Sequence, residues 1–218
     1  MRRKAGIRLI GTLTFFAVSS LQGQAEQGKV HSFYGRPMIG VLASQIDGDQ
    51  ASGYNKFGYQ LGMATGFRLS EERKLDAIEM QFCLVERGSR RAFDPLTMVN
   101  AFHIKAQQLE LQLAGVKNVK AGRLGNLDLI GGIRFTRLLK IEETEGYNPG
   151  IANDYAKNGV ILQFAMGYRA SERMDLRLSW DYSAITLLSN PTIFNPFYAN
   201  GAVYHNGVGL TAMIRFDN

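Results

Sequence analysis

The sequence predicts an all-β protein, an eight-stranded antiparallel up-and-down transmembrane β-barrel. Three observations support this prediction. Eight segments alternate apolar and polar residues with period two, the connections between them alternate between short and long, and one row of each segment is almost free of charge. The 24 glycines among 218 residues suit tight turns and crowded strands better than a helical bundle.

The N-terminus has the pattern of a secretory signal peptide over residues 1–25. Basic residues occupy 2–4, an apolar stretch covers 7–21, and small residues in 23–25 fit a cleavage site. An N-terminal membrane anchor is the alternative, but the apolar stretch is short for a span and Arg8 interrupts it. We therefore predict an exported protein.

The net charge of +6 comes mostly from this N-terminal segment. Four of the 25 basic residues and none of the 19 acidic ones lie in it, so the rest of the chain carries only about +2. The charge therefore does not favour nucleic-acid binding. The single cysteine, Cys83, excludes an intramolecular disulfide and a multi-cysteine zinc site. On the polar row of its segment, Cys83 is expected to be a small filler of the lumen.

We expect residues 26–36 to form a short periplasmic segment and 37–218 the barrel. The clearest alternation is M-D-L-R-L-S-W-D-Y-S over 174–183, where every apolar residue is followed by a polar one. No later stretch has the 18 consecutive apolar residues of a membrane-spanning helix. In chain order, the predicted strands cover 37–45, 57–68, 78–84, 108–113, 127–136, 160–169, 174–183 and 206–216.

The connections fall into two classes that alternate along the chain. Outer-membrane barrels have short periplasmic turns and longer outward loops, with both termini in the periplasm. The short connections are 70–73, 117–125 and 171–173, and the long polar ones are 47–55, 88–101, 142–158 and 187–203.

The two rows of each strand predict which face is inside. Small residues and paired charges fit a narrow lumen, whereas a charge-free apolar row suits lipid, where an Arg or Lys costs roughly 2–4 kcal/mol at the midplane. The predicted lumen ion network is Glu79, Glu110, Asp128, Arg134, Arg169, Asp175, Arg177, Asp181 and Arg215. The predicted aromatic girdles at the membrane interfaces are Tyr59, Phe67, Tyr168, Trp180, Tyr182, Tyr204 and Phe216.

Three stretches resemble the PorT-like family of small outer-membrane β-barrels. They are S-Q-I-D-G-D-Q-A-S-G-Y-N-K-F-G-Y-Q-L-G over 44–62, L-S-E-E over 69–72, and E-R-G-S-R over 86–90. The resemblance implies a barrel in the outer membrane of a diderm bacterium. One namesake of the family is associated with assembling a secretion system, but the family is broad and this role does not transfer with the fold. Phe216 is followed by Asp217 and Asn218, whereas many barrels end on an aromatic residue.

We interpret the chain as a non-enzymatic scaffold or accessory subunit of an envelope or secretion assembly. Eight strands leave an interior that side chains fill, so a general pore is not expected. The expected partners are outer-membrane lipid and other envelope proteins that contact loops or the periplasmic rim; no cofactor, metal or nucleic acid is expected.

Two alternatives stay open. One is an outer-membrane lipid-modifying hydrolase, for which Ser89 with His103 or His205 are candidate residues on the outward side. The other is a soluble periplasmic barrel that binds a ligand in an apolar interior. Asp47, Asp49 and Asn55 resemble the start of a calcium loop, but the twelfth-position acid and flanking helices are missing, so we interpret them as turn residues.

Overall fold

The computed structural model describes residues 33–49, 53–69, 75–92, 95, 101–122, 125–144, 154–188 and 202–216. The predicted signal peptide lies outside the described residues, as does the periplasmic segment up to residue 32. Within the described parts of the chain, no helix is long and apolar enough to cross a membrane.

Eight antiparallel strands form one closed barrel, in which each strand pairs with its neighbours in sequence and β1 pairs with β8. The predicted eight-stranded antiparallel up-and-down barrel is thereby confirmed. The strands are β1 (Phe33–Asp47), β2 (Lys56–Arg68), β3 (Ala77–Arg91), β4 (Phe102–Lys120), β5 (Asn126–Thr144), β6 (Asn158–Arg169), β7 (Met174–Ser183) and β8 (Tyr204–Ile214).

The two ends of the barrel differ. At one end, here called the terminal end, β1 begins, β8 ends and the connections from β2 to β3, β4 to β5 and β6 to β7 are located. At the opposite end, here called the loop end, lie the connections that follow β1, β3, β5 and β7, and the last three of these are longer than any connection at the terminal end. The predicted alternation of short and long connections holds from β3 onward. It is wrong for the first two connections, because 69–76 is as long as 48–55.

The predicted inside-outside assignment agrees with the burial of the side chains. On the apolar rows, Leu61, Phe82 and Leu113 have between 53% and 59% of their surface exposed. On the polar rows, Gln81 and Glu110 are 1% exposed. Since successive residues of a strand point to opposite faces, the polar rows line the lumen and the apolar rows form the outer wall.

Several strands extend further than their alternation predicts. β1 begins at Phe33 rather than at residue 37, and Tyr34 and Arg36 continue its lumenal row. β3 continues to Arg91 and β5 to Thr144, so the second and third long connections start later than expected. In β5 the period is interrupted at Leu139, which has no partner between the pairs Gln107–Lys140 and Gln108–Leu138. Such a bulge moves the following residues to the other face.

The polar rows of the strands predict a polar lumen, but the lumen is not polar throughout. At the loop end it holds an apolar cluster that joins strand residues to residues of two long loops. Tyr155 pairs with Leu188 in an isolated β-bridge, and the Leu187 amide donates to the Val203 carbonyl at 2.8 Å. We call this cluster the apolar plug; its buried members are Ile46, Phe102, Ile104, Ala106, Tyr155, Leu187, Leu188 and Val203.

Candidate functional site

The middle of the lumen holds four charged side chains from four strands. Arg87 binds Glu110 with two contacts, Nε to Oε1 at 2.8 Å and Nη2 to Oε2 at 3.1 Å, and its Nη2 also donates to Asp181 Oδ2 at 2.8 Å. Arg134 Nη1 lies 2.8 Å from Glu110 Oε2 and 3.4 Å from Asp181 Oδ2. Two positive and two negative charges thus neutralise each other, and each side chain is at most 2% exposed. We call these residues the central cluster.

Two glutamines extend the hydrogen bonding of the central cluster. Arg134 Nε donates to Gln112 Oε1 at 2.8 Å, and the Gln112 amide donates to Gln163 Oε1 at 2.6 Å. The Gln163 amide then donates to Asp181 Oδ1 at 2.9 Å. Because buried charges are stable only when their hydrogen-bonding capacity is met, these amides are part of the same unit.

A second ion pair lies nearer the terminal end. Arg177 makes two contacts with Glu79, at 2.6 and 3.2 Å, across a sequence separation of 98 residues. Glu79 also accepts hydrogen bonds from the Tyr34 hydroxyl at 3.1 Å and from the Gln81 amide at 2.7 Å. With four donors on one buried carboxylate, Glu79 is held in a single orientation.

At the terminal end, Asp175 binds two arginines through one oxygen. Arg36 Nη1 lies 2.9 Å and Arg215 Nε 2.7 Å from Asp175 Oδ2. The Arg36 guanidinium also lies over the Tyr34 ring, 4.2 Å from its centroid, in a cation–π contact. This group of three residues therefore carries a net charge of +1.

Of the predicted ion network, seven members are brought together in these three groups: Glu79, Glu110, Arg134, Asp175, Arg177, Asp181 and Arg215. Two others are not in the network. Asp128 is only half-buried and accepts from the Asn118 amide at 2.8 Å, while Arg169 is exposed and makes no ion pair among the described residues.

Sequence reasoning missed Arg87, the most buried charged side chain of the lumen, and Arg36. For Arg87 a signal was available, because the lumenal row of β3 continues with the same parity from Glu79 through Cys83. The predicted strand ends at residue 84, so Arg87 falls outside it. Lys56 and Glu86 form a further pair at the loop end, with a distance of 2.7 Å, that the sequence did not suggest.

A buried polar group lies beneath the apolar plug. The Tyr155 hydroxyl hydrogen bonds to His205 Nε2 and accepts from the Gln108 amide at 2.8 Å. Burial raises the pKa of the Tyr155 hydroxyl above its usual value, so this group is a neutral phenol at physiological pH. The contact ties the loop between β5 and β6 to the lumen wall.

The residues considered for hydrolysis do not form a catalytic pair. Ser89 faces the lumen and is 1% exposed, whereas His103 lies on the outer row of the neighbouring strand. His205 is occupied by Tyr155. A serine nucleophile needs a histidine within hydrogen-bond reach, and these residues lie on opposite faces of the sheet or have other partners.

The remaining candidates have structural contacts. Asp47 accepts from the Asn206 amide at 3.2 Å, and no group of three or more metal-binding side chains occurs in the part of the chain that the structure describes. Cys83 faces the lumen, as predicted, with its sulfur 3.6 Å from that of Met38.

The predicted aromatic residues lie near both ends of the outer wall. Trp180, Tyr182 and Tyr204 form a stacked series, with ring centroids 5.9 and 6.0 Å apart, toward the loop end. The Trp180 indole also donates to Asn206 Oδ1 at 3.0 Å. Tyr59 is likewise on the loop-end side, whereas Phe67, Tyr168 and Phe216 are exposed toward the terminal end.

No protein-family model and no curated protein matches this sequence. Similar solved structures include Neisserial surface protein A (NspA), with 12% identity, 86% of this chain and 100% of that chain covered, and a TM-score of 0.46. Another is Ail, the attachment invasion locus protein of Yersinia pestis, in complex with the heparin analogue sucrose octasulfate. It has 11% identity, a coverage of 84% of this chain and 99% of that chain, and a TM-score of 0.40. The fold assignment itself depends on the strand pairing of this chain.

Proposed function

We propose that this protein is a non-enzymatic β-barrel of the bacterial outer membrane with a closed lumen, and that it serves as a small scaffold or accessory subunit of an envelope or secretion assembly. The observation that carries the membrane location is a continuous charge-free belt on the outer wall. Its outward side chains come from 39–43, 57–67, 78–84, 109–115, 127–135, 160–168, 174–182 and 208–214.

The belt suits lipid better than water. Many of its members, such as Ile39 and Phe135, are more than half exposed, with values of 60% and 58%. A soluble monomer seldom exposes an apolar patch above a few hundred Å². Among the residues that the structure describes, charged outward side chains occur only beyond the belt, as with Arg137 toward the loop end and Lys117 toward the terminal end.

The height of the belt agrees with a membrane. Nine residues of strand span about 26 Å along the strand, and a tilt of 35–45° reduces this to roughly 20 Å along the barrel axis. Outer-membrane barrels carry an apolar band of about 25 Å between aromatic girdles. The aromatic residues at both ends of the wall support this orientation, with the terminal end in the periplasm.

The lumen supports neither a general pore nor an apolar ligand carrier. The central cluster crosses it with charged side chains that bind one another, and the apolar plug fills it at the loop end. An apolar ligand in the lumen would have to displace these charges from their partners at a cost of several kcal/mol.

A filled barrel offers partners its loops, its rims and its outer wall. This is the physical basis for a scaffold or accessory role. A pull-down from detergent-solubilised membranes, with mass spectrometry of the bound proteins, tests the role. Recovery of a defined envelope complex supports it, and recovery of the barrel alone argues against it.

Cysteine labelling in intact cells tests location and orientation together. In a Cys83→Ser background, we expect Pro95→Cys at the loop end to react with a membrane-impermeant maleimide. We expect Ser171→Cys, in the turn between β6 and β7, to react only after the outer membrane is permeabilised. Both positions are exposed, so access to solvent does not distinguish them. The reverse labelling pattern would place the terminal end outside the cell, and extraction without detergent would contradict membrane insertion.

A further inference from the structure

A pocket opens at the terminal end of the lumen, where arginines from several strands converge. We call it the arginine pocket. It consists of two adjoining cavities of about 220 and 310 Å³ that share Asn118, Asp128, Arg169 and Arg215. Arg36 and Arg68 also line the smaller cavity. Since a water molecule takes up about 30 Å³, either cavity has room for a small ion with part of its hydration shell.

The positions of two of these arginines are set before any ligand arrives. Arg36 is held between the Tyr34 ring and Asp175 Oδ2, and Arg215 donates its Nε to the same oxygen. Groups that are already ordered lose little entropy on binding, so they make effective ligands.

The charge of the pocket is not balanced by its aspartates. Four arginines face three aspartates, namely Asp76, Asp128 and Asp175, and Asp76 is also bound to Lys117 at 3.2 Å. The described charged residues that line the pocket, together with Asp175, carry a net charge of +1.

Two arginines of the pocket have donors without a protein acceptor among the described residues. Arg169 is paired with Asp175 in the strand register, yet Asp175 Oδ2 is taken by Arg36 and Arg215, and Arg169 binds no acid among the described residues. In addition, Arg36 is 5% exposed and its buried Nε has no hydrogen-bond partner. A buried donor without an acceptor costs about 1–3 kcal/mol.

We propose that the arginine pocket binds a small oxyanion, a phosphate or a carboxylate group, with Arg169 as a principal ligand. The planar fork of a guanidinium matches two oxygens of either group, which makes these anions its preferred partners. The net positive charge disfavours a metal cation at the same place. The pocket would present this anion site to the periplasm, which goes beyond a scaffold role.

Calorimetric titration of the full barrel, refolded in a neutral detergent, tests the site independently of membrane location. Inorganic phosphate and succinate are titrated separately at constant ionic strength. We expect saturable binding of at least one of them, and the tighter of the two identifies the group that the pocket prefers. Arg169→Ala should weaken binding about tenfold, the value of one charge-assisted hydrogen bond. Asp128→Asn should instead strengthen binding, because it removes a negative charge and keeps an oxygen for Asn118.

Arg173→Ala is the matched control, since Arg173 is exposed at the same end and its removal changes the net charge equally. Its affinity for the anion should be unchanged. The proposal is overturned if neither anion binds saturably, or if Arg173→Ala weakens binding as much as Arg169→Ala. It is also overturned if Arg169→Ala lowers the stability of the barrel without changing the affinity for the anion. Arg169 would then stabilise the barrel by binding Asp175 Oδ1, which has no hydrogen-bond partner in the described ranges of the chain.

Discussion

Removal of the Arg87 guanidinium tests the central cluster most directly. Arg87 is 0% exposed and makes two contacts to Glu110 and one to Asp181, at 2.8 to 3.1 Å. In Arg87→Ala two buried carboxylates are left with Arg134 as their only cation. Breaking a buried ion pair costs about 3–5 kcal/mol. We expect about 3 kcal/mol, because Arg134 and Gln163 still bind the carboxylates.

The free energy of unfolding can be measured by urea titration of the barrel in detergent micelles or vesicles, with the heat-modifiable band on a gel as the signal. A loss of 3 kcal/mol corresponds to a change of more than a hundredfold in the unfolding equilibrium. A second variant, Arg87→Ala with Asp181→Asn, removes the unpaired charge and should recover at least about 1 kcal/mol of this loss.

Arg137→Ala is the control for this experiment. Arg137 is exposed on the outer face of β5 and donates to Asn158 at 2.8 Å, so its loss should cost less than about 1 kcal/mol. If Arg87→Ala is no more destabilising than Arg137→Ala, the lumen is hydrated and the central cluster does not stabilise the barrel. If the double variant recovers nothing, the loss comes from packing rather than from charge.

Two further changes test the terminal end and the plug. Gly66→Ala should destabilise the barrel by about 1–3 kcal/mol in the same urea titration, because the added Cβ would lie 2.1 Å from the Tyr34 ring. Gly131→Ala, with nothing within 4 Å, should change stability by less than about 0.5 kcal/mol, and equal effects would contradict the close packing. Tyr155→Phe should cost about 1–3 kcal/mol by leaving His205 without its hydroxyl partner, and should speed hydrogen exchange of the neighbouring loop amides. Unchanged exchange would mean that this contact does not hold the loop.

Much of the fold could be predicted from local sequence, because successive side chains of a strand point to opposite faces of the sheet. The position of a residue along the strand therefore indicates whether its side chain points to the lumen or to the outer wall. Met174 and Asp175 are neighbours in sequence and point to opposite sides of the wall, and the same rule assigns nearly every strand. The rule fails where the backbone itself departs from the pleat. At Leu139 one unpaired residue shifts the phase, and the last residues of β5 could not be assigned from the sequence.

The partners of the lumenal charges were decided by closure of the barrel. Arg87 and Asp181 are 94 residues apart in sequence, and only the diameter and register of an eight-stranded barrel bring them within 2.8 Å. Sequence could place Arg169 and Asp175 on lumenal rows, but not show that Arg36 and Arg215 take the Asp175 oxygen instead. Alternation specifies the face of a side chain, whereas its partner depends on strands that are distant in sequence and meet only in the folded barrel.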